Sequence, residues 1–285
     1  MKKILSLFLV FCLCLPFCSC GNEGEYTPSK GLDYELSEDG TYYIVTGLGS
    51  CDDSFLVIPK EYKGLPVCAV GDTAFRKTGI THVILPETVT QIAYDAFENC
   101  SKLAFNEYGG AYYLGSEGND HFALISLTDE AEKDFNIHND TKIVADSAFW
   151  GANIETITIP KSVTHIGNAA FYSCGSLASI KFSSGLSYVS SEAFMNCKSL
   201  TKITVPEGVT TIEDSTFEAC ASLFSVTLPQ TIEYIGEYAF SNCDSLSDIT
   251  FNGTVEQWNN IEKAYLWNAY TVNYTVHCND GDVKK

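Results

Sequence analysis

An α/β repeat solenoid is the fold class that three interlocked periodicities in this sequence predict. Phe171, Phe194, Phe217 and Phe240 stand 23 residues apart, as do Cys174, Cys197, Cys220 and Cys243, and again Leu177, Leu200, Leu223 and Leu246. Fixed apolar positions recurring every 20 to 29 residues indicate a leucine-rich-repeat solenoid, whose coils bury their apolar faces only against neighbouring coils. The expected coil of about 23 residues carries one short parallel strand, with short helical or 3₁₀ turns on the opposite side.

The strand is read from two-residue alternation, as in Ile157 and Ile159, Ile203 and Val205, and Val226 and Leu228. Such alternation implies a strand with one buried face. Proline follows and ends it, because proline cannot donate to a ladder. Pro86, Pro160, Pro206 and Pro229 each stand 11 residues before a phenylalanine, at Phe97, Phe171, Phe217 and Phe240. Ser183 and His138 take the proline place before Phe194 and Phe149, and Pro59 precedes Phe75 at a longer distance, which makes seven units. A second apolar set follows (Val163 and Ile166, Val209 and Ile212, Ile232 and Ile235), then a turn that packs each phenylalanine inward. Gly167 and Gly236 mark a bend where the backbone must pass closely.

The solenoid is expected over residues 55–251. An insert at 104–132 interrupts it, where Ala111–Leu114 and Phe122–Ile125 flank a polar turn. These are the signals of a β-hairpin projecting from the coils, and such insertions are a common place for binding surfaces. Residues 20–54 form a linker and a hairpin cap around Glu38-Asp39-Gly40. Residues 252–285 form the other cap, opened by Thr254-Val255-Glu256-Gln257, a capping-box sequence, with Trp258 and Ile261 over the last coil. A solenoid needs both caps to close its ends.

Residues 1–19 form an export signal, with Lys2 and Lys3 before an apolar run too short to span a bilayer. Phe17-Cys18-Ser19-Cys20 resembles a bacterial lipobox, which makes Cys20 the expected lipid attachment site and the membrane a partner through that anchor only. Plain secretion is the other reading of the same residues. Loss of the two lysines takes the formal charge from −19 to about −21. So acidic a surface repels phosphate backbones, and nucleic-acid binding is not expected. The periodic cysteines are expected to be reduced and buried, since equivalent side chains on stacked coils run parallel and do not face each other. Cys51 and Cys68 lie outside the beat and are candidates for a bridge.

The run Ile159-Pro160-Lys161-Ser162-Val163-Thr164-His165-Ile166-Gly167-Asn168-Ala169-Ala170-Phe171-Tyr172-Ser173-Cys174 closely resembles the BspA-type bacterial leucine-rich repeat. Ser183 in a proline place and Ala152 near the cysteine position depart from it. The resemblance implies an exported bacterial cell-envelope or cell-surface lipoprotein of the kind implicated in adhesion to host matrix proteins and to other cells. Fold transfers through such a resemblance more safely than function.

No G-x-S-x-G, H-E-x-x-H, P-loop or dinucleotide fingerprint occurs, so no enzyme activity, cofactor or metal is expected. The expected function is that of a monomeric, lipid-anchored adhesion module that recognises an extracellular protein or glycan through its repeat surface. A structural spacer, or a non-catalytic accessory of a surface carbohydrate-processing system, is the alternative. The outward row Thr158, Lys181, Thr204, Thr227 and Thr250 is the expected ligand face, with Tyr112 and Tyr113 of the insert as further anchors.

Overall fold

A computed structural model describes residues 26–285; the expected export signal over residues 1–19 and the expected lipid site Cys20 lie outside them. The chain winds as a solenoid with about 23 residues per coil and almost no helix. Each regular coil presents three walls.

The first wall is the expected strand. Thr156–Thr158 pairs in parallel with Ser179–Lys181, and Lys202–Thr204 pairs with Ser225–Leu228, which pairs with Asp248–Phe251. In Thr156–Thr158 only the middle residue, Ile157, is buried, which is the alternation seen in the sequence. The proline that follows starts a tight turn, its carbonyl accepting from the N–H three residues on. Val163 donates to Pro160, Val209 to Pro206 and Ile232 to Pro229. Ser183 and His138 accept in the same way from Leu186 and Thr141, so the turn survives the loss of proline.

The second wall is a further row of parallel strands, two residues long in the regular coils. His165–Ile166 pairs with Tyr188–Val189, and Thr211–Ile212 with Tyr234–Ile235. The expectation was one strand per coil, and the coil has two. The apolar residue of each pair, such as Ile166 or Ile212, faces inward, while its partner faces out.

The third wall, expected to hold short helical or 3₁₀ turns, is built from turns whose N–H groups partly run between coils. Phe171, Phe194 and Phe217 donate their N–H to Ala193, Thr216 and Ala239 of the next coil, at 2.8, 2.9 and 2.9 Å. Residues two before and two after each phenylalanine, such as Ala169 and Ser173, are left-handed at φ 50° and 57°. That conformation interrupts helical geometry and turns alternate N–H groups toward the neighbour. Within each turn, i→i+3 bonds remain, as from Cys174 N to Phe171 O at 3.1 Å. The single helix among the described residues is Val255–Asn260.

The core runs down the middle. Phe149, Phe171, Phe194, Phe217 and Phe240 stack with centroids 4.6, 5.0, 5.6 and 5.4 Å apart. Each periodic thiol donates to the carbonyl of the previous coil's phenylalanine: Cys174 to Phe149, Cys197 to Phe171, Cys220 to Phe194 and Cys243 to Phe217, at 3.0–3.2 Å. The cysteines are therefore reduced and buried, and they join coils without covalent bonds. Cys51 and Cys68 are also free. Gly167 and Gly236 pass over the coil before: a Cβ on either would lie 2.6 Å from the backbone nitrogen of Asp146 or Asp214. Only glycine allows that approach.

The insert does not project. Asn106–Tyr108, Ala111–Ser116 and Asn119–Leu127 form an antiparallel meander built into the walls. Ala111–Ser116 pairs in parallel with the first-wall strand His82–Leu85, while Asn119–Leu127 pairs in parallel with the second-wall strand Ile143–Val144. Phe122, Ala123 and Leu124 are buried in succession, so both faces of that strand are covered. A strand buried on both faces is apolar without alternation, which fits Phe122-Ala123-Leu124-Ile125.

At the N-terminal end Asp33–Leu36 and Tyr43–Gly47 form an antiparallel pair, and the latter continues the second wall through Leu65–Val70. At the C-terminal end Thr254 caps the helix. Its side chain accepts from Gln257 N at 3.2 Å, and Gln257 Oε1 accepts from Thr254 N at 2.8 Å. Trp258 and Trp267 then lie over Phe240 and Phe251, closing the stack with rings that do not continue it.

Candidate binding surfaces

Parallel register brings the outward residues of the first wall into two rows. One runs Asn136, Thr158 and Lys181, then Thr204, Thr227, Thr250 and His277; each neighbouring pair within a sheet is in direct register. The row is interrupted between Lys181 and Thr204, where the wall divides into two sheets. Beside it run Asp134, Thr156 and Ser179, then Lys202, Ser225, Asp248 and Thr275. Strand spacing sets successive side chains about 4.8 Å apart. Thr158, Lys181, Thr204 and Thr250 are exposed and Thr227 is half-buried.

The charges on this face are few, and three of them make local contacts. Asp134 accepts from the Thr156 hydroxyl at 2.7 Å, and Lys202 lies over the Phe224 ring at 5.1 Å. His277 sits between Asp282, at 2.9 Å, and Asp248, at 3.4 Å. The hydrogen bond that its ring donates to the Asp282 carboxylate, with the second carboxylate of Asp248, raises its pKa. The C-terminal edge of the face therefore carries an imidazolium over a wider pH range than a free histidine. Sequence reasoning missed His277 as the end of the threonine row because its strand was read only as part of the cap.

The insert tyrosines part company. Tyr112 is half-buried, its ring 5.4 Å from Phe105. Tyr113 is fully buried, and its hydroxyl accepts from His138 N at 3.4 Å. Burial pushes its phenol up to about 12. Tyr113 is a core residue and offers no surface to a ligand, because the meander that carries it fills the interior and does not stand out from it.

Two hollows lie outside the threonine face. One, of about 300 Å³, is lined on the second wall by Tyr42, Gln91, His165 and Tyr188. The other, of about 840 Å³, lies on the third wall beside the insert and is flanked by the exposed rings of Tyr94 and Trp150. No cluster of three or more histidine, cysteine or acidic side chains suited to a metal occurs among the described residues. Nor is any helix there long and apolar enough to cross a membrane.

These walls, with their stacked phenylalanines and periodic leucines, define a leucine-rich-repeat solenoid. The chain matches the BspA type leucine rich repeat region six times, over residues 66–108 and 142–267, and belongs to that family. A crystal structure of a leucine rich cell surface protein from Faecalibacterium prausnitzii is similar at 32% identity and TM-score 0.55, over 70% of this chain and 55% of that one. This chain thus spans about half of that relative's length. The pneumococcal vaccine antigen PcpA shares the fold at TM-score 0.52 and 15% identity, over 89% of this chain and 84% of that one. No functionally curated protein matches.

Proposed function

We propose that this protein is an exported, cell-surface binding module that recognises a protein or glycan through the threonine-rich face of its first wall. The observation that carries the proposal is the register of Thr204, Thr227, Thr250 and His277, an unbroken polar row on a rigid ladder. Threonine suits an exposed strand, and its hydroxyl both donates and accepts. A row of them meets a repetitive or extended ligand through many small contacts without a deep pocket. The family supplies binding and scaffold modules, and the F. prausnitzii relative is described as a cell surface protein. Both support export and a non-catalytic role. The lipobox-like Phe17-Cys18-Ser19-Cys20 makes Cys20 the lipid-bearing residue of this reading.

Pull-down of matrix proteins and surface glycans by the mature chain tests this, compared with a variant carrying Thr204→Arg, Thr227→Arg and Thr250→Arg. Enrichment that the variant loses by tenfold or more is expected. Equal capture by both chains would remove the face from consideration. Mass spectrometry of the mature N-terminus is expected to show acylated Cys20.

A further inference from the structure

The second wall divides where the insert enters it. Tyr43–Gly47, Leu65–Val70 and Gln91–Ile92 belong to one sheet, and Ile143–Val144, His165–Ile166 and Tyr188–Val189 to another. Two bonds join the sheets at the seam: Asp146 N donates to Ile92 O at 3.0 Å, and Gln91 Nε2 to Asp146 Oδ2 at 3.3 Å. The hollow of about 300 Å³ spans this seam, with Tyr42, Thr90 and Gln91 lining it from one side and His165 and Tyr188 from the other. The two tyrosines are within electrostatic reach of each other: burial and then Glu213 raise the Tyr188 phenol, and Tyr42 adds to the effect. His165 packs beside Tyr188, with ring centroids 6.0 Å apart. Two phenols and an imidazole thus border a space the size of a small ligand pocket.

Hydrogen bonds behind the lining fix what it offers. The Thr164 hydroxyl donates to Lys142 O at 3.2 Å, so it has no second proton for the neighbouring imidazole and accepts from His165 Nδ1 at 2.9 Å. His165 is therefore the Nδ1–H tautomer, with Nε2 a bare acceptor at the far end of the ring. Burial lowers its pKa, which keeps the ring neutral. Gln91 commits one amide N–H to Asp146 and keeps the other, together with its carbonyl oxygen. The tyrosine hydroxyls both donate and accept. No side chain of the lining carries a full charge.

That mixture selects the occupant. An ammonium group would use the acceptors alone and find no counter-charge in the lining. A phosphate or carboxylate would use the donors alone and meet the field of Glu213 and Asp146, both of which act on Tyr188. Hydroxyl groups give and take, so they use both sets, while the tyrosine faces cover the C–H surface of a sugar ring. A peptide strand has no ladder to join: Leu65–Val70 and His165–Ile166 are each paired on both sides, and Ile92 O at the seam is taken by Asp146.

We propose that this seam binds a neutral sugar, one pyranose residue of a glycan held between Tyr42 and Tyr188 with its hydroxyls on His165 Nε2 and Gln91. The site lies on a different wall from the threonine face and does not rest on the function proposed for that face.

The mature chain is applied to an array of neutral, sialylated, sulfated and phosphorylated glycans, and the strongest neutral ligand is titrated by calorimetry. Neutral glycans are expected to bind, with affinity falling at least tenfold in Tyr188→Ala and also in Gln91→Ala, whose side chain is exposed and dispensable to the core. Nitrogen NMR shifts of the His165 imidazole supply a check that needs no ligand. At pH 7 Nδ1 should be protonated and Nε2 bare, and Nε2 should shift when the glycan binds. The proposal is overturned if no neutral glycan binds, if only charged glycans do, or if binding survives both substitutions. The opposite tautomer in the free chain overturns it too, as does tetramethylammonium binding at the seam in place of a neutral glycan. A glycan lost in the triple arginine variant but kept by Tyr188→Ala belongs to the first wall, which overturns the seam site and leaves the threonine face standing.

Discussion

At the scale of single residues, the buried thiols show how a weakly polar group holds a coil in place. Each S–H reaches a phenylalanine carbonyl that would otherwise lack that contact, while its sulfur fills apolar space. Burial pushes Cys174 and Cys243 up to about 12 and raises Cys197 and Cys220 well above the usual thiol range. The unfolded chain ionises these thiols near pH 8.5. Stability is therefore fully present below about pH 8 and falls as pH rises from there toward 12, by about 1.4 kcal/mol per pH unit for each thiol still protonated only in the fold. Urea melts at pH 7 and pH 10 should show the drop, and a thiol reagent at pH 7.5 should label Cys51, Cys68 and Cys278 but spare the buried ladder. Labelling of Cys220 in the native state would contradict the arrangement.

Asp146 makes a second residue-scale case. Its carboxyl is pushed up to about 6 by burial, against the opposing hydrogen bonds from Asn168 N and Gln91. Because the folded pKa lies above the unfolded one, the group costs stability as pH rises from about 4 to 6 and beyond. Asp146→Asn keeps an acceptor for Asn168 N and should stabilise the protein at pH 7 by about 1–3 kcal/mol. A melt showing destabilisation would contradict that sign. Gly167→Ala, by contrast, drives a methyl into the Asp146 backbone and should cost about 1–3 kcal/mol.

At the scale of elements, the first-wall strands were legible because Ile-x-Ile alternation lasts long enough to show its period. The second wall was not, since a strand of two residues contains a single inward side chain and has no period to show. The apolar spacing that announced it, Val163 to Ile166, suits a turn equally well. Helical turns were expected where Ala-Phe pairs recur, but the left-handed residues flanking each phenylalanine send alternate N–H groups across to the next coil. No residue type signals that choice: Ala169, Glu192, Ser215 and Tyr238 all adopt it, so it is imposed by stacking. The insert looked like a projecting hairpin because its turn is polar, although the unbroken run Phe122–Ile125 carried the sign of burial on both faces. Tyr113 was misplaced as a surface anchor for the same reason. Deleting residues 104–132 removes side chains that belong to both parts of the core, including Tyr113, Leu114 and Phe122. The deletion should therefore leave a chain that fails to fold cooperatively, as read by circular dichroism and a loss of the thermal transition. A sharp native-like melt from the deleted chain would mean that the insert is ornamental after all.

At the scale of the molecule, burial falls into two clusters that meet at the insert, one around Phe75 and Phe97 and the other from Phe135 to Val276. The meander stitches them together, since Tyr113 and Leu124 face one cluster while Leu114 and Phe122 face the other. Within the larger cluster each coil is covered only by its neighbours, so stability is shared between adjacent coils. Phe194→Ala should cost about 3–5 kcal/mol and loosen the coils of Phe171 and Phe217 along with its own. The fold-level outline was visible in the 23-residue beat because stacking demands the same apolar residue at the same place in every coil. The threonine face was visible for the complementary reason that its outward positions repeat in polar character. Ala152, in a cysteine position, marks the coil at which the ladder of thiol contacts is interrupted.

If the downstream coils share one apolar spine, native-state hydrogen exchange in rising denaturant will reveal it. The amides of Phe149, Phe171, Phe194 and Phe217 should converge on a common opening free energy, because no coil can open without uncovering the next. A separate exchange curve for each coil, with no convergence, would contradict it.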